Sequence, residues 1–144
     1  MNNRYIFRGK REDNGQWIYG DLIIDQYSKY YIHPNTNAFS VNEYNLAKCI
    51  QMIEVIPETV GQCTGLKDKN GKLIFEGDIL QLENDDGDNL LYVVYWSDSL
   101  LAWQVQEITY YVERGYYGID ELCEFRDCPV VGNIHDNPEL LEVE

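Results

Sequence analysis

The feature that most constrains this chain is Asp13-Asn14-Gly15, set between strand-like runs at residues 4–11 and 16–24. Asn-Gly is the strongest short hairpin signal, because a two-residue turn needs positive φ at both positions and both residues tolerate it. With Asn14-Gly15 as the loop, the register predicts Asp13 opposite Gln16, Arg11 opposite Ile18, Gly9 opposite Gly20, Phe7 opposite Leu22 and Tyr5 opposite Ile24. Tyr5, Phe7, Ile18, Leu22 and Ile24 then form the core face. The other face pairs Glu12 with Trp17, Lys10 with Tyr19, Arg8 with Asp21 and Ile6 with Ile23. Cross-strand pairs stabilise a sheet by roughly 0.2–1 kcal/mol each, so a purely structural role accounts for this face. Aromatic rings beside Arg and Lys also make a good contact surface. Ile6, Arg8, Lys10, Trp17, Tyr19 and Ile23 are therefore the candidate interface residues.

The rest of the chain carries the same strand-and-turn rhythm. Residues 27–33 predict a strand ended by Pro34 and the Asn35-Thr36-Asn37 loop. Asn42 would cap a short helix through Ala47, and residues 53–56 form an apolar strand that stops before Pro57. A second Asn-Gly, Asn70-Gly71, separates Thr64-Gly65-Leu66 from the run Leu73 to Leu82. Gly77-Asp78 interrupts that run, which suggests a bulge or tight bend. An acidic turn at Glu83-Asn84-Asp85-Asp86-Gly87-Asp88 leads into Leu90 to Trp96, apolar on both faces and so a central strand. Trp103 and Val105 alternate with Gln104 and Gln106, predicting a half-exposed strand at 102–108. Residues 130–135 make a last short strand, and Asn137-Pro138-Glu139 opens a short helix or tail with Asn as its cap. Twelve tyrosines in 144 residues add to the strand bias. The fold class is mainly β with minor helix. The chain is one unit with a soft internal boundary near 57–64, and it is long enough to bury a core without a metal or disulfide staple.

Charge narrows the functions on offer. Arg4, Arg8, Lys10 and Arg11 give residues 1–11 a net +4, whereas residues 78–144 set sixteen acids against Arg114 and Arg126, a net −14. That field repels nucleic acid and attracts basic partners. No run of eighteen apolar residues is present and the first residues lack an apolar leader core, so a cytoplasmic protein with reduced cysteines is expected.

No constellation of residues carries chemistry. Cys123 and Cys128 are separated by four residues but Cys49 and Cys63 by thirteen, and His33 and His135 complete no zinc pattern. No elbow or oxyanion loop accompanies a cysteine, and His135 beside Asp136 reads as a strand-end histidine rather than an oriented base. A calcium loop with Gly87 at its sixth position would put Leu82 and Val93 where oxygen ligands belong, so that motif fails. Gly61 and Gly65 read as turn residues because no Gly-Lys-Ser/Thr ending follows them. No catalytic residue, cofactor or metal is expected.

Several blocks together carry a resemblance. They are Phe7-Arg8-Gly9-Lys10-Arg11, Gly15-Gln16-Trp17-Ile18-Tyr19-Gly20-Asp21, Pro57-Glu58-Thr59-Val60-Gly61-Gln62, Thr64 to Lys72, Ile74-Phe75-Glu76-Gly77-Asp78-Ile79, Val131-Gly132-Asn133-Ile134 and Asn137 to Leu141. In this order they resemble the YopX-like family of phage and prophage proteins, leaving residues 25–50 and 84–128 outside the match. The resemblance implies an N-terminal hairpin unit followed by an SH3-type small barrel over 57–135, and a tendency to self-associate. It implies no activity. The expected function is that of a non-enzymatic phage or prophage accessory protein in a bacterial cytoplasm, working as a homo-oligomer or with a phage or host protein. The alternative is a nucleic-acid-binding module on Arg4, Arg8, Lys10, Arg11, Trp17 and Tyr19, which the overall charge disfavours.

Overall fold

Three hairpins in this protein are closed by one device, a short Asx side chain that feeds on the backbone of its own turn. Asp25, Asp68 and Asn84 each accept N–H groups two and four residues ahead through one side-chain oxygen, at 2.8–3.0 Å. The carbonyl of the same residue accepts the N–H three residues on, from Ser28, Gly71 and Gly87 respectively. That third residue is left-handed in every case, with φ of +62°, +82° and +84°. Asn and Asp suit the first position because a short acceptor reaches its own turn, and glycine suits the left-handed one because it has no Cβ to clash.

The computed structural model describes residues 3–34, 51–108 and 120–142, without the side chains of Asp120 and Cys123. The predicted helix at Asn42–Ala47 and Cys49 lie outside them. The chain divides into two units, Met1–Cys63 and Thr64–Glu144.

In the first unit β1 (Phe7–Lys10), β2 (Trp17–Ile24), β3 (Tyr30–Pro34) and β4 (Ile53–Val55) follow one another antiparallel. The end of β1 then returns to β4. Glu12 donates to the Glu54 carbonyl at 3.0 Å, Ile56 donates to that of Lys10 at 2.8 Å, and Arg11 bridges Val55. The four strands thus close into a ring. Gly9 permits it: a Cβ there would sit 3.1 Å from the Val55 side chain. Ile32 and Val55 are fully buried on the inner face, and burying each stabilises by about 1.5–3 kcal/mol.

The register of β1 with β2 corrects the predicted one by two residues. Phe7 pairs with Gly20, Arg8 with Tyr19, Gly9 with Ile18 and Lys10 with Trp17. The loop holds four residues, not two: Arg11 donates to the Gln16 carbonyl and Gly15 to that of Arg11, both at 2.9 Å. Asn14 is not among the positive-φ residues, so the two-residue turn that needs both positions left-handed does not form. Its side chain accepts from Gln16 instead, and Gly15 alone takes the left-handed position. Because the shift is even, the paired residues 7–10 and 17–20 keep their predicted parity, but Ile24, assigned to the core face, is exposed.

β5 (Gly61–Lys67) leaves the first unit, where Gly61 and Gln62 pair with Arg8 and Phe7, and its later residues lie beside β6 (Leu73–Phe75). The second unit also holds β7 (Asp78–Glu83), β8 (Asn89–Ser97), β9 (Ala102–Glu107), β10 (Asp120–Glu121) and β11 (Val130–Asn133). Their sheet order is β10-β9-β8-β7-β11, all antiparallel, so the doubly apolar β8 is the central strand. One face buries Leu80, Tyr92, Val94 and Val105 with Ile74, Leu122, Phe125 and Cys128. The other buries Ile79, Val93 and Ile108 under Ile134, Leu140 and Leu141. β9 is not half-exposed as predicted: Gln104 and Gln106, opposite Tyr95 and Val93 of β8, are both buried. Asn137 likewise makes no side-chain cap on the 3₁₀ turn Pro138–Leu141; its oxygen accepts the Asn133 N–H at 3.1 Å.

Asp68 reaches further than its turn, since its second oxygen accepts the Val130 N–H at 2.8 Å, 62 residues away. Burial alone would push this carboxyl up, but the N–H groups of Val130, Lys72 and Asn70 outweigh it and hold its pKa below the ordinary value. A carboxylate so depressed contributes stability that is fully present above the unfolded pKa of about 4 and is lost as pH falls through the folded value. Asp68→Asn is expected to cost about 2 kcal/mol at neutral pH, and its denaturant midpoint is expected to fall less than that of the wild type on acidification below about pH 4. Equal acid sensitivity in the two proteins would contradict this role. The turns themselves give a second test. Gly71 and Gly87 have open space where a Cβ would go, so Gly71→Ala and Gly87→Ala are expected to lose about 1 kcal/mol each from backbone strain alone. Ser28→Gly, which removes that strain, is expected to be neutral or to gain roughly 0.5 kcal/mol in the same unfolding experiment.

Candidate functional site

On the outward face of β1 and β2, Trp17 organises two cations. The Arg8 guanidinium carbon lies 4.7 Å from the Trp17 ring centroid and the Lys10 ammonium 5.5 Å from it. The register explains this, because Lys10 stands opposite Trp17 and Arg8 is one pleat further along on the same face. A desolvated cation over an indole is worth about 2 kcal/mol. Arg8 is only 4% exposed, so it belongs to the structure beneath the surface and not to the surface itself. It also faces Tyr19 across the strands, where the predicted partner was Asp21, which pairs with His33 of β3.

Of the six predicted interface residues, the structure brings Arg8, Lys10 and Trp17 into contact and sets Tyr19 beside them, 47% exposed. Ile6 and Ile23 are not opposite each other, and both are half-buried. Ile23 instead pairs with Tyr31 of β3, and the Ile6 carbonyl accepts the Cys63 N–H at 2.8 Å. Tyr5, assigned by the sequence to the core, is 66% exposed with Arg4 6.0 Å from its ring centroid. At the loop, Arg11 meets both oxygens of Asp13, at 2.9 and 2.6 Å. That hydrogen-bonded pair lowers the Asp13 pKa and raises that of Arg11.

Cys63 and Cys128 are buried and unbridged, and burial, with the Asp127 charge adding to it, pushes the Cys128 thiol up, away from the reactive thiolate. His33 Nδ1 lies 2.9 Å from the Gln51 carbonyl oxygen. Among the described residues no three His, Cys, Asp or Glu side chains gather in a metal-binding arrangement, and no helix is long and apolar enough to cross a membrane. Clefts among the described residues include two that open to solvent. One of about 400 Å³ runs along Arg11, Glu12, Asp13, Met52, Ile53 and Glu54, and one of about 440 Å³ along Glu76 and Tyr95 to Ser99. The second was not anticipated from sequence. Its signal was Leu100-Leu101 placed directly after Ser97-Asp98-Ser99, between two strands where a polar turn would be usual.

The described residues thus form two small units of antiparallel strands, with Arg8 and Lys10 against the Trp17 ring on the first. The YopX protein family matches residues 6–142, and the chain belongs to that family. The crystal structure of protein EF1440 from Enterococcus faecalis is similar in fold, with a TM-score of 0.51 at 23% identity over 94% of this chain and 96% of that one. No curated protein matches.

Removing the ring that covers Arg8 should be felt throughout the first unit. Trp17→Ala is expected to cost about 3 kcal/mol, from lost burial and from the uncovered cation. Trp17→Phe, which keeps a smaller ring over the guanidinium, is expected to lose less than half of that. Equal losses in urea unfolding would mean that a phenyl ring gives the guanidinium no cover, and the stacked-ring account would fall.

Proposed function

We propose that this chain is a non-enzymatic accessory protein of a phage or prophage, acting in the bacterial cytoplasm by self-assembly and protein contact. The observation that carries the reading is Tyr19, exposed on the same face of β2 as a Trp17 ring that two cations hold in place, with Tyr5 exposed ahead of β1. Aromatic side chains locked before binding lose little entropy on contact, which is what makes them effective anchors. The acid-rich region from residue 78 onward offers a complementary surface on a second copy. Membership of the YopX family fits this reading and supplies no reaction that would compete with it. Nucleic-acid binding is the weaker reading, because Arg8 is buried and Arg11 is engaged by Asp13.

The test is mass by light scattering at about 50 µM, a concentration at which weak assembly registers. Wild type is expected to exceed the monomer mass of 16.9 kDa. Tyr5→Glu with Tyr19→Glu, both at exposed positions, is expected to approach that mass with an unchanged melting temperature. A monomeric wild type would sink the proposal. A complex with single-stranded DNA at about 150 mM salt, lost in the same variant, would replace it with the nucleic-acid reading.

A further inference from the structure

The hairpin joining β8 to β9 ends in an arrangement that neither the core nor the proposed assembly face uses. Leu100 and Leu101 are 60% and 75% exposed, and Trp96 beside them is 41% exposed. Leu101 also holds φ at +50°, a conformation that costs a branched side chain about 1 kcal/mol or more. The tip is nonetheless internally fixed. Ser97 Oγ accepts the Leu100 N–H at 3.2 Å and lies 3.2 Å from Ser99 Oγ. Trp96 donates its indole N–H to Asp98 at 3.1 Å and packs edge-on against Trp103, with 5.3 Å between ring centroids. Three large apolar side chains are thus presented to solvent by a turn already locked, beside the 440 Å³ cleft that Glu76 and Asp98 line.

We infer that this tip is a docking surface for a short cationic, apolar peptide segment of another protein. The apolar part of such a segment would cover Leu100, Leu101 and Trp96, and its Lys or Arg residues would lie along the acidic cleft. Charge decides the occupant. The cleft beside the tip is lined by two carboxylates, Glu76 and Asp98, and by no Lys or Arg, so the field around the tip selects a basic partner. The same field opposes insertion into an anionic bilayer, where exposed leucines and a tryptophan would otherwise be at home. Pre-locking the tip lowers the entropy lost on contact.

The experiment uses the full chain and a fluorescein-labelled peptide of about twelve residues, alternating Lys and Leu and long enough to span the cleft and tip. A Glu–Leu peptide is the control. Anisotropy at low salt is expected to show saturable binding of the Lys–Leu peptide alone. Leu100→Ser with Leu101→Asn, in which Asn accepts the left-handed backbone, removes apolar surface without changing charge and is expected to weaken binding about tenfold or more. Asp98→Asn is expected to weaken it and to flatten its salt dependence. Tyr5→Glu with Tyr19→Glu is expected to leave it unchanged, which separates this surface from the assembly face. Equal binding by wild type and the leucine variant would reduce the effect to bulk charge and overturn the inference. So would equal binding of both peptides, tighter binding to phosphatidylglycerol vesicles than to the peptide, or a lower oligomeric mass in the leucine variant, which would make the tip a contact between copies.

Discussion

One buried carboxylate holds the second unit together. Asp68 closes its own turn with one oxygen and takes the Val130 N–H with the other, and the neighbouring Lys69 N–H reaches the Cys128 carbonyl. These bonds fix where the last strand begins, and β11 then runs along β7 with a single irregularity between Val130 and Gly132. Phe125, Cys128 and Val130 reach the cluster around Leu80 and Val94 only because this anchor sets their path. An apolar residue in place of Asp68 would leave three backbone donors to find other partners, and a buried unsatisfied donor costs about 1–3 kcal/mol. Hydrophobic burial drives the folding of this unit, but the carboxylate decides which apolar residues meet.

Much of the β architecture was legible because strand patterning reports faces directly. Leu90 to Trp96 could only be a central strand, since no alternation separates an inner face from an outer one, and β8 is central. The break at Gly77-Asp78 was visible too, and Gly77 takes φ of +87° between β6 and β7. The first hairpin shows the limit. Asn14-Gly15 signals a turn, but the dipeptide serves equally in a two-residue turn and at the end of a four-residue one. What decided between them was the Arg11–Asp13 pair and the Asn14 bond to Gln16. Because the error was even, the paired residues kept their parity, and an odd shift would have turned them over; burial did not follow, since Tyr5 and Ile24, assigned to the core face, are exposed.

The candidate surface was less legible, for a physical reason. Parity says which side of a sheet a residue occupies, but burial depends on what packs beside it. Arg8, Lys10 and Trp17 share a face as expected, yet the indole covers the guanidinium and takes Arg8 out of solvent. Gln104 and Gln106 looked polar enough to face water, yet they are buried opposite Tyr95 and Val93, and Val93 belongs to the cluster that Ile134, Leu140 and Leu141 cover. Leu100 and Leu101, in the turn between β8 and β9, carry no polar residue that would signal their exposure. Only the left-handed turn at Leu101 shows that the chain turns them outward.

The ring closure of the first unit has a consequence for how such a module can be recognised. An open sheet offers its edge to any extended chain, and many small β proteins bind peptides, or aggregate, by accepting an extra strand. Here β2 lies between β1 and β3, β3 between β2 and β4, and the bonds from Lys10, Arg11 and Glu12 occupy the far side of β4. Along that seam the backbone groups are already engaged, whereas Asp21–Ile24 of β2 pair with β3 alone. Whatever meets the seam must read its side chains, so selectivity there resides in surface chemistry, and residues on that face can change their partner without disturbing the backbone that displays them.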